Sequence, residues 1–144
     1  MRYYPATLEQ LEENGETYYL GTLRFSDNYA VFAQAETLDE TLTELQSHLI
    51  GAVEFTIKND ERFPEPAPQQ AGEILVLMPT LVEAKVLVHN ERITRKLTKT
   101  ELGKLVGFSP AEMQRLLNPW YKSGIDKLDQ LFCVLDLKPQ LSLV

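Results

Sequence analysis

Residues 97–118 read LTKTELGKLVGFSPAEMQRLLN, and this stretch decides how the chain is organised. Leu102 and Val106 lie four apart and make the inner face of a first helix, with Gly103 between them where a second helix must cross closely. Gly107 supplies the positive φ that ends the first helix, which a Cβ would penalise. Phe108 fills the corner. Ser109 is placed to cap the second helix, with Pro110 at its first position. Met113 and Leu116 then point to the core, while Ala111, Gln114, Arg115 and Asn118 face outwards. The pattern predicts a helix-turn-helix, a DNA-binding module.

On either side of it the chain stays helical. Pro79 opens this region, and residues 81–95 are expected as a helix. Asn118–Gly124 reads as a loop, and Ile125, Leu128, Leu131, Phe132 and Leu135 mark a last helix. The tail LSLV (141–144) is expected as a short strand or a dimer contact.

The first half has a different texture. In residues 2–10, Tyr4, Ala6 and Leu8 alternate with Tyr3, Thr7 and Glu9, as in a strand. Asn14-Gly15 signals a tight turn, and Thr17–Phe25 is a second run rich in aromatic and β-branched residues. Ser26-Asp27-Asn28 precedes a short strand over Tyr29–Gln34. Thr37 and Glu40 form a capping-box pattern ahead of the stripe Leu38, Leu42, Leu45, Leu49 and Val53. The three prolines of Phe63–Pro68 enforce an irregular connection, and Gly72–Met78 is a fourth strand. The order β-β-β-α-β predicts an α+β domain over residues 1–78, followed by an all-α domain over 79–144.

Charge divides at the same place. The net charge is −7, yet residues 1–78 hold 4 basic and 14 acidic side chains, whereas residues 79–144 hold 10 and 7. An acidic half and a mildly basic half imply different partners; the plainer alternative is an acidic surface that only aids solubility. No apolar run reaches membrane-spanning length and no signal pattern precedes Tyr3, so a cytoplasmic location without membrane association is expected. The single cysteine, Cys133, lies in LFCVLDL and reads as a buried, inert thiol.

Taken together, RYYPATLEQ, AETLDETLTELQSHLIGAVEFTIKND, FPEPAP, GEILVLMP and FSPAEMQRLLN resemble the HicB antitoxins of HicA–HicB toxin–antitoxin modules, over nearly the whole chain. The resemblance implies a partial ribonuclease-H-like first domain that binds the toxin. It implies a second domain that binds the operator of its own gene pair. The implied partner, a HicA-type toxin, is a small basic ribonuclease with a double-stranded-RNA-binding-like fold and a catalytic histidine, and an acidic cover suits it. The stretch LRFSDNYAVFAQAET departs from the family pattern, with Ser26 and Ala35 where a proline-containing turn and a glycine are usual.

For DNA, Gln114, Arg115 and Asn118 are the candidates to read base edges; the bland reading of Arg115 is a pair with Glu112. Thr100 and Ser109, at helix starts, are candidates for phosphate contact. Lys122 and Lys127 flank the last helix as further phosphate candidates, or as solvated lysines. The run Arg92, Arg95, Lys96, Lys99 and Lys104 is either a DNA-facing patch or a solvated face. For the toxin, Tyr18, Tyr29 and Phe32 are candidate aromatic anchors and Asp27 and Glu36 candidate acidic contacts; each reads equally as core, turn or cap.

Catalytic chemistry finds no inventory. The first strand offers only Glu9 where a two-metal nuclease needs several carboxylates. His48 and His89 are far apart, with no Cys or His at ligand spacing, and read as surface or interface histidines. No enzyme activity, metal or cofactor is expected. The readings that remain are an antitoxin repressor, a free-standing dimeric transcription regulator whose first domain senses a ligand or only dimerises, and a nuclease remnant. Either regulatory reading expects a homodimer or higher homo-oligomer, matching operator symmetry.

Overall fold

Asn14 and Gly15 both take positive φ, 53° and 79°, as a two-residue type I′ hairpin turn requires. In the computed structural model, which describes residues 2–141, this turn joins β1 (Tyr3–Glu13) to β2 (Glu16–Arg24) in unbroken antiparallel register from Ala6↔Leu23 to Glu13↔Glu16. β3 (Ala30–Ala35) pairs antiparallel with β2, and β4 (Ile74–Leu77) pairs antiparallel with β1, giving the sheet order β3-β2-β1-β4. Between β3 and β4 runs α1 (Leu38–Lys58), started by Thr37, whose Oγ1 accepts the Glu40 N–H at 3.2 Å.

The described chain forms two compact units. One is Arg2–Ala52 with Pro64–Met78; the other is Val53–Phe63 with the chain from Pro79 onwards.

In the first unit, α1 lies on one face of the sheet. A Cβ on Gly21 would stand 2.6 Å from Leu45 Cδ1, so the helix crosses β2 where no side chain intervenes. Tyr4, Ala6, Leu23, Val31, Ala33 and Val76 share that inner face and are buried with Thr41, Leu45 and Leu49 of α1. The stripe on α1 therefore begins at Thr41 rather than at Leu38, which is exposed, because the first helical turn projects past the sheet residues it would cover. Side chains of α1 also plug both sheet edges. His48 Nδ1 lies 2.6 Å from the Phe32 carbonyl of β3, and Gln46 Nε2 donates to the Leu77 carbonyl of β4 at 3.0 Å. The proline segment is tied across the far end of β2: Ser26 N–H donates to Glu65 O at 2.8 Å, Phe25 bridges Pro66, and Arg24 pairs with Glu73.

In the second unit, α2 (Thr80–Thr94) is buried on most sides, α3 (Lys99–Val106) and α4 (Pro110–Leu116) are joined by a tight turn, and α5 (Ile125–Val134) follows. Gly107 closes α3 at φ 78°, and a Cβ on Gly103 would stand 2.7 Å from Met113 Cγ and 2.9 Å from Phe108 O. Ser109 caps α4 in a complete capping box with Glu112, with Pro110 at N1. On α5, Leu128, Leu131, Phe132 and Leu135 are buried but Ile125 is exposed. Cys133 is exposed as well; its neighbours at 131, 132 and 135 take the inward positions, and 133 falls on the outer side of the helix. Of the tail, residues 142–144 lie outside the described residues. Among the described residues no helix is long and apolar enough to cross a membrane.

Candidate functional site

The helical unit hangs on polar groups along α2. Lys85 is fully buried, and its Nζ donates to the carbonyls of Tyr121 (2.6 Å) and Asn118 (2.7 Å) and to Ser123 Oγ (2.9 Å). With the Arg115 carbonyl at 3.4 Å as well, three N–H donors face four acceptors, which keeps an ammonium tolerable there even though burial pushes its pKa down to about 8. Asn90 grips Phe63 through both amide atoms, accepting its N–H at 2.8 Å and donating to its carbonyl at 3.0 Å. His89 Nε2 lies 2.5 Å from the Glu61 carbonyl, and its Nδ1 lies 3.2 Å from an Arg92 nitrogen. This is a neutral ring donating through Nε2 and accepting at Nδ1, and burial holds its pKa at about 4.

This arrangement corrects two expectations. His89 is buried rather than a surface histidine, and Arg92 is no part of a DNA-facing patch. Arg92 is 2% exposed, bonded to Asp60 at 2.6 Å and to the Leu97 carbonyl at 2.8 Å. Arg95, the next of that run, pairs with Glu91 and donates to the Leu135 carbonyl. Lys96 and Lys104 stay on the surface. Lys85, His89 and Arg92 recur at four and three residues, one stripe of a helix whose other sides also face protein. That spacing was the available signal for polar residues directed inwards.

The α3–α4 pair presents most of the residues expected to meet nucleic acid. Gln114 and Arg115 are exposed on α4. The expected competitor for Arg115 is occupied: Glu112 Oε1 accepts from Lys127 Nζ at 3.1 Å, which also lowers the carboxyl pKa. A depression of about 330 Å³ brings Arg115, Lys122, Ser123 and Lys127 together beside the start of α5. Ser109 acts as a cap. Thr100 is exposed in the first turn of α3, but the capping hydroxyl there is Thr98, which accepts the Glu101 N–H at 3.0 Å. Asn118 is half-buried and turned to local use, its Oδ1 accepting the Trp120 N–H at 2.9 Å. Trp120, exposed after this turn, carries no motif signal in the sequence; its indole N–H donates to Glu54 Oε2 at 2.7 Å.

In the sheet unit the toxin candidates separate. Tyr18 and Phe32 lie on the outer sheet face, away from α1, with Phe32 57% exposed. Glu36 is exposed and lines, with Tyr18, Glu13 and Glu16, a cleft of about 710 Å³. Tyr29 precedes β3 and packs edge-on against Phe25 at 5.1 Å between ring centroids, and Asp27 accepts the Tyr29 N–H at 3.1 Å in a local turn. Those two shape the turn. Among the described residues no three His, Cys, Asp or Glu side chains converge as a metal site.

Comparison with known proteins places these features in a family. Residues 3–87 match the model of a HicB-like antitoxin of bacterial toxin–antitoxin systems. The chain is 33% identical to antitoxin HicB 1 of Photorhabdus laumondii over 89% of its own length and 78% of that protein. It is 29% identical to antitoxin HicB of Escherichia coli K12, over 85% of this chain and 86% of the relative. Antitoxin HicB 2 of Photorhabdus laumondii matches at 28% over 87% and 84%. The chain thus belongs to the HicB-like antitoxin family of bacterial toxin–antitoxin systems.

Proposed function

We propose that this protein binds and inhibits a small, basic HicA-type ribonuclease, an mRNA interferase, through its acidic unit, and represses its own operon through the α3–α4 pair acting as a helix-turn-helix. The observation that carries this reading is the segregation of charge into two units. The sheet unit holds two cations, Arg2 and Arg24, against eleven carboxylates, and both cations are consumed in ion pairs with Glu65 and Glu73. What remains is a surface of unopposed negative charge, suited to a cationic protein and repelled by nucleic acid. The helical unit instead groups Arg115, Lys122 and Lys127, the last shared with Glu112, around one depression, and Gln114 is exposed on the same helix as Arg115.

In this reading α4 enters the major groove, Gln114 and Arg115 read base edges, and Lys122 and Lys127 meet phosphates. Ser109 and Thr100 contribute at the helix starts, with Asn118 holding the following turn. Operator symmetry requires a homodimer or a higher homo-oligomer. Residues 1–78 then carry the toxin-binding domain, a partial ribonuclease-H-like fold, and 79–144 the DNA-binding and dimerising domain, which residues 53–63 join. The protein works in the cytoplasm and is not itself an enzyme.

The test is co-purification with the protein encoded beside its gene, reading RNA cleavage by that neighbour with and without this chain. A stable complex with suppressed cleavage is expected. Cleavage unaffected by an excess of this chain, together with intact operator binding, would move the assignment to a free-standing transcription regulator.

A further inference from the structure

The outer face of the sheet carries a feature that folding alone does not favour. The Asn14-Gly15 turn fixes the register so that Glu13 and Glu16 stand directly opposite each other. Strand alternation puts both on the outer face, in line with Leu11 opposite Tyr18 and Glu9 opposite Leu20. Like charges directly opposite destabilise a strand pair. Among the described residues no lysine or arginine pairs with either, because both cations of the unit are used elsewhere.

Beyond this pair the outer face turns apolar. Leu11, Tyr18 and Leu20 are half-buried, and Phe32, opposite Thr22, is 57% exposed. The helix covers only the inner face, and the proline segment closes the opposite end over Arg24, which donates to the Pro68 carbonyl. Addition of a partner strand at an edge is disfavoured, since His48 and Gln46 already occupy edge carbonyls of β3 and β4. The face itself is the open surface, and its charge selects the occupant. A second copy would bring two such acidic rims together.

Resting on the antitoxin reading above, we infer that the toxin docks on this outer face, its apolar surface over Leu20 and Phe32, with an arginine or lysine seated between Glu13 and Glu16 at the cleft that Glu36 also lines. The carboxylate pair is the part of the interface that the free chain holds at a cost and the bound cation relieves.

The experiment uses the full chain and the basic protein encoded beside its gene, comparing affinities by titration calorimetry and thermal stability of the free chain. Glu16→Lys supplies Glu13 with a cross-strand partner, so it is expected to raise the melting temperature while weakening toxin binding about ten-fold or more. Phe32→Ser is expected to weaken binding to a similar degree, by about ten-fold, without lowering stability. The double variant Thr43→Lys/Ser47→Lys makes the same charge change on the exposed side of α1 and should leave affinity within about two-fold. Equal weakening by this control would reduce the effect to net charge and overturn the inference. Unchanged binding by Glu16→Lys and Phe32→Ser would overturn it too, while leaving the antitoxin reading intact. Loss of self-association in Phe32→Ser with toxin affinity unchanged would assign the face to a second copy. A wild-type chain that does not bind the toxin at all would sink the antitoxin reading and this inference together.

Discussion

Lys85 Nζ lies 2.7 Å from the carbonyl oxygen of Asn118, so a buried lysine of α2 holds the turn that leaves α4. The same ammonium reaches Tyr121 and Ser123, on either side of Lys122. The position of Lys122, an exposed cation, is thereby set from inside the unit.

Lys85→Met removes the donor and leaves those acceptors facing an apolar chain. Each unsatisfied buried group costs about 1–3 kcal/mol, so a total loss of about 3 kcal/mol is expected in denaturant unfolding. Operator affinity should fall as well, because the 118–123 turn loses its anchor. A variant as stable as wild type would show that water replaces the ammonium there.

His89 gives the helical unit an acid limit. Its pKa is about 4 in the folded chain against an ordinary 6.5. The unfolded chain therefore binds the extra proton first as pH falls. The stability contributed by the neutral ring is complete above pH 6.5 and is lost as pH drops from 6.5 to 4, by up to about 3 kcal/mol. Unfolding measured across that window should slope for wild type and be flatter for His89→Gln, which keeps a donor for Glu61. Parallel curves would place the acid sensitivity elsewhere.

Gly103→Ala drives a methyl group to 2.7 Å from Met113 Cγ and 2.9 Å from the Phe108 carbonyl. The side chain can shift but the carbonyl belongs to the turn, so a loss of about 1–3 kcal/mol is expected by chemical unfolding. Gly107→Ala meets no neighbour but must hold φ at 78°, and about 1 kcal/mol is expected.

Arg115→Ala should weaken operator binding by about 1–3 kcal/mol, read by titration at fixed salt, without altering the melting temperature. Glu112 keeps its pair with Lys127 in that variant. Neutralisation of toxin should be unchanged, and its loss in the folded variant would overturn the separation of roles between the units.

Cys133 is exposed, so the folded protein should react with a thiol reagent at one equivalent without denaturant. A thiol that titrates only after unfolding would contradict its place on the outer side of α5.

Local features could be read from the residues alone. Capping of α4 by Ser109, the Gly107 turn, the close pass at Gly103 and the Asn14-Gly15 hairpin were all legible, because each depends on backbone conformation or contacts within about ten residues. The helical stripe of α1 was legible from Leu45 onwards for the same reason, since periodicity records which side of a helix is apolar. It misplaced Leu38 and Ile125 because periodicity does not say where the opposing surface stops. Which cations are free depends instead on long-range packing. Arg92 and Arg95 lie in the same basic run as Lys96, yet partners 32 and 40 residues distant, Asp60 and Leu135, take them. Lys85 and His89 are buried for acceptors just as remote along the chain. Tyr18 and Phe32 came to share a face, and Tyr29 did not join them, through strand register and the packing of Phe25. A charged residue in a sequence declares its chemistry; its availability depends on which distant carbonyl or carboxylate the fold brings within 3 Å.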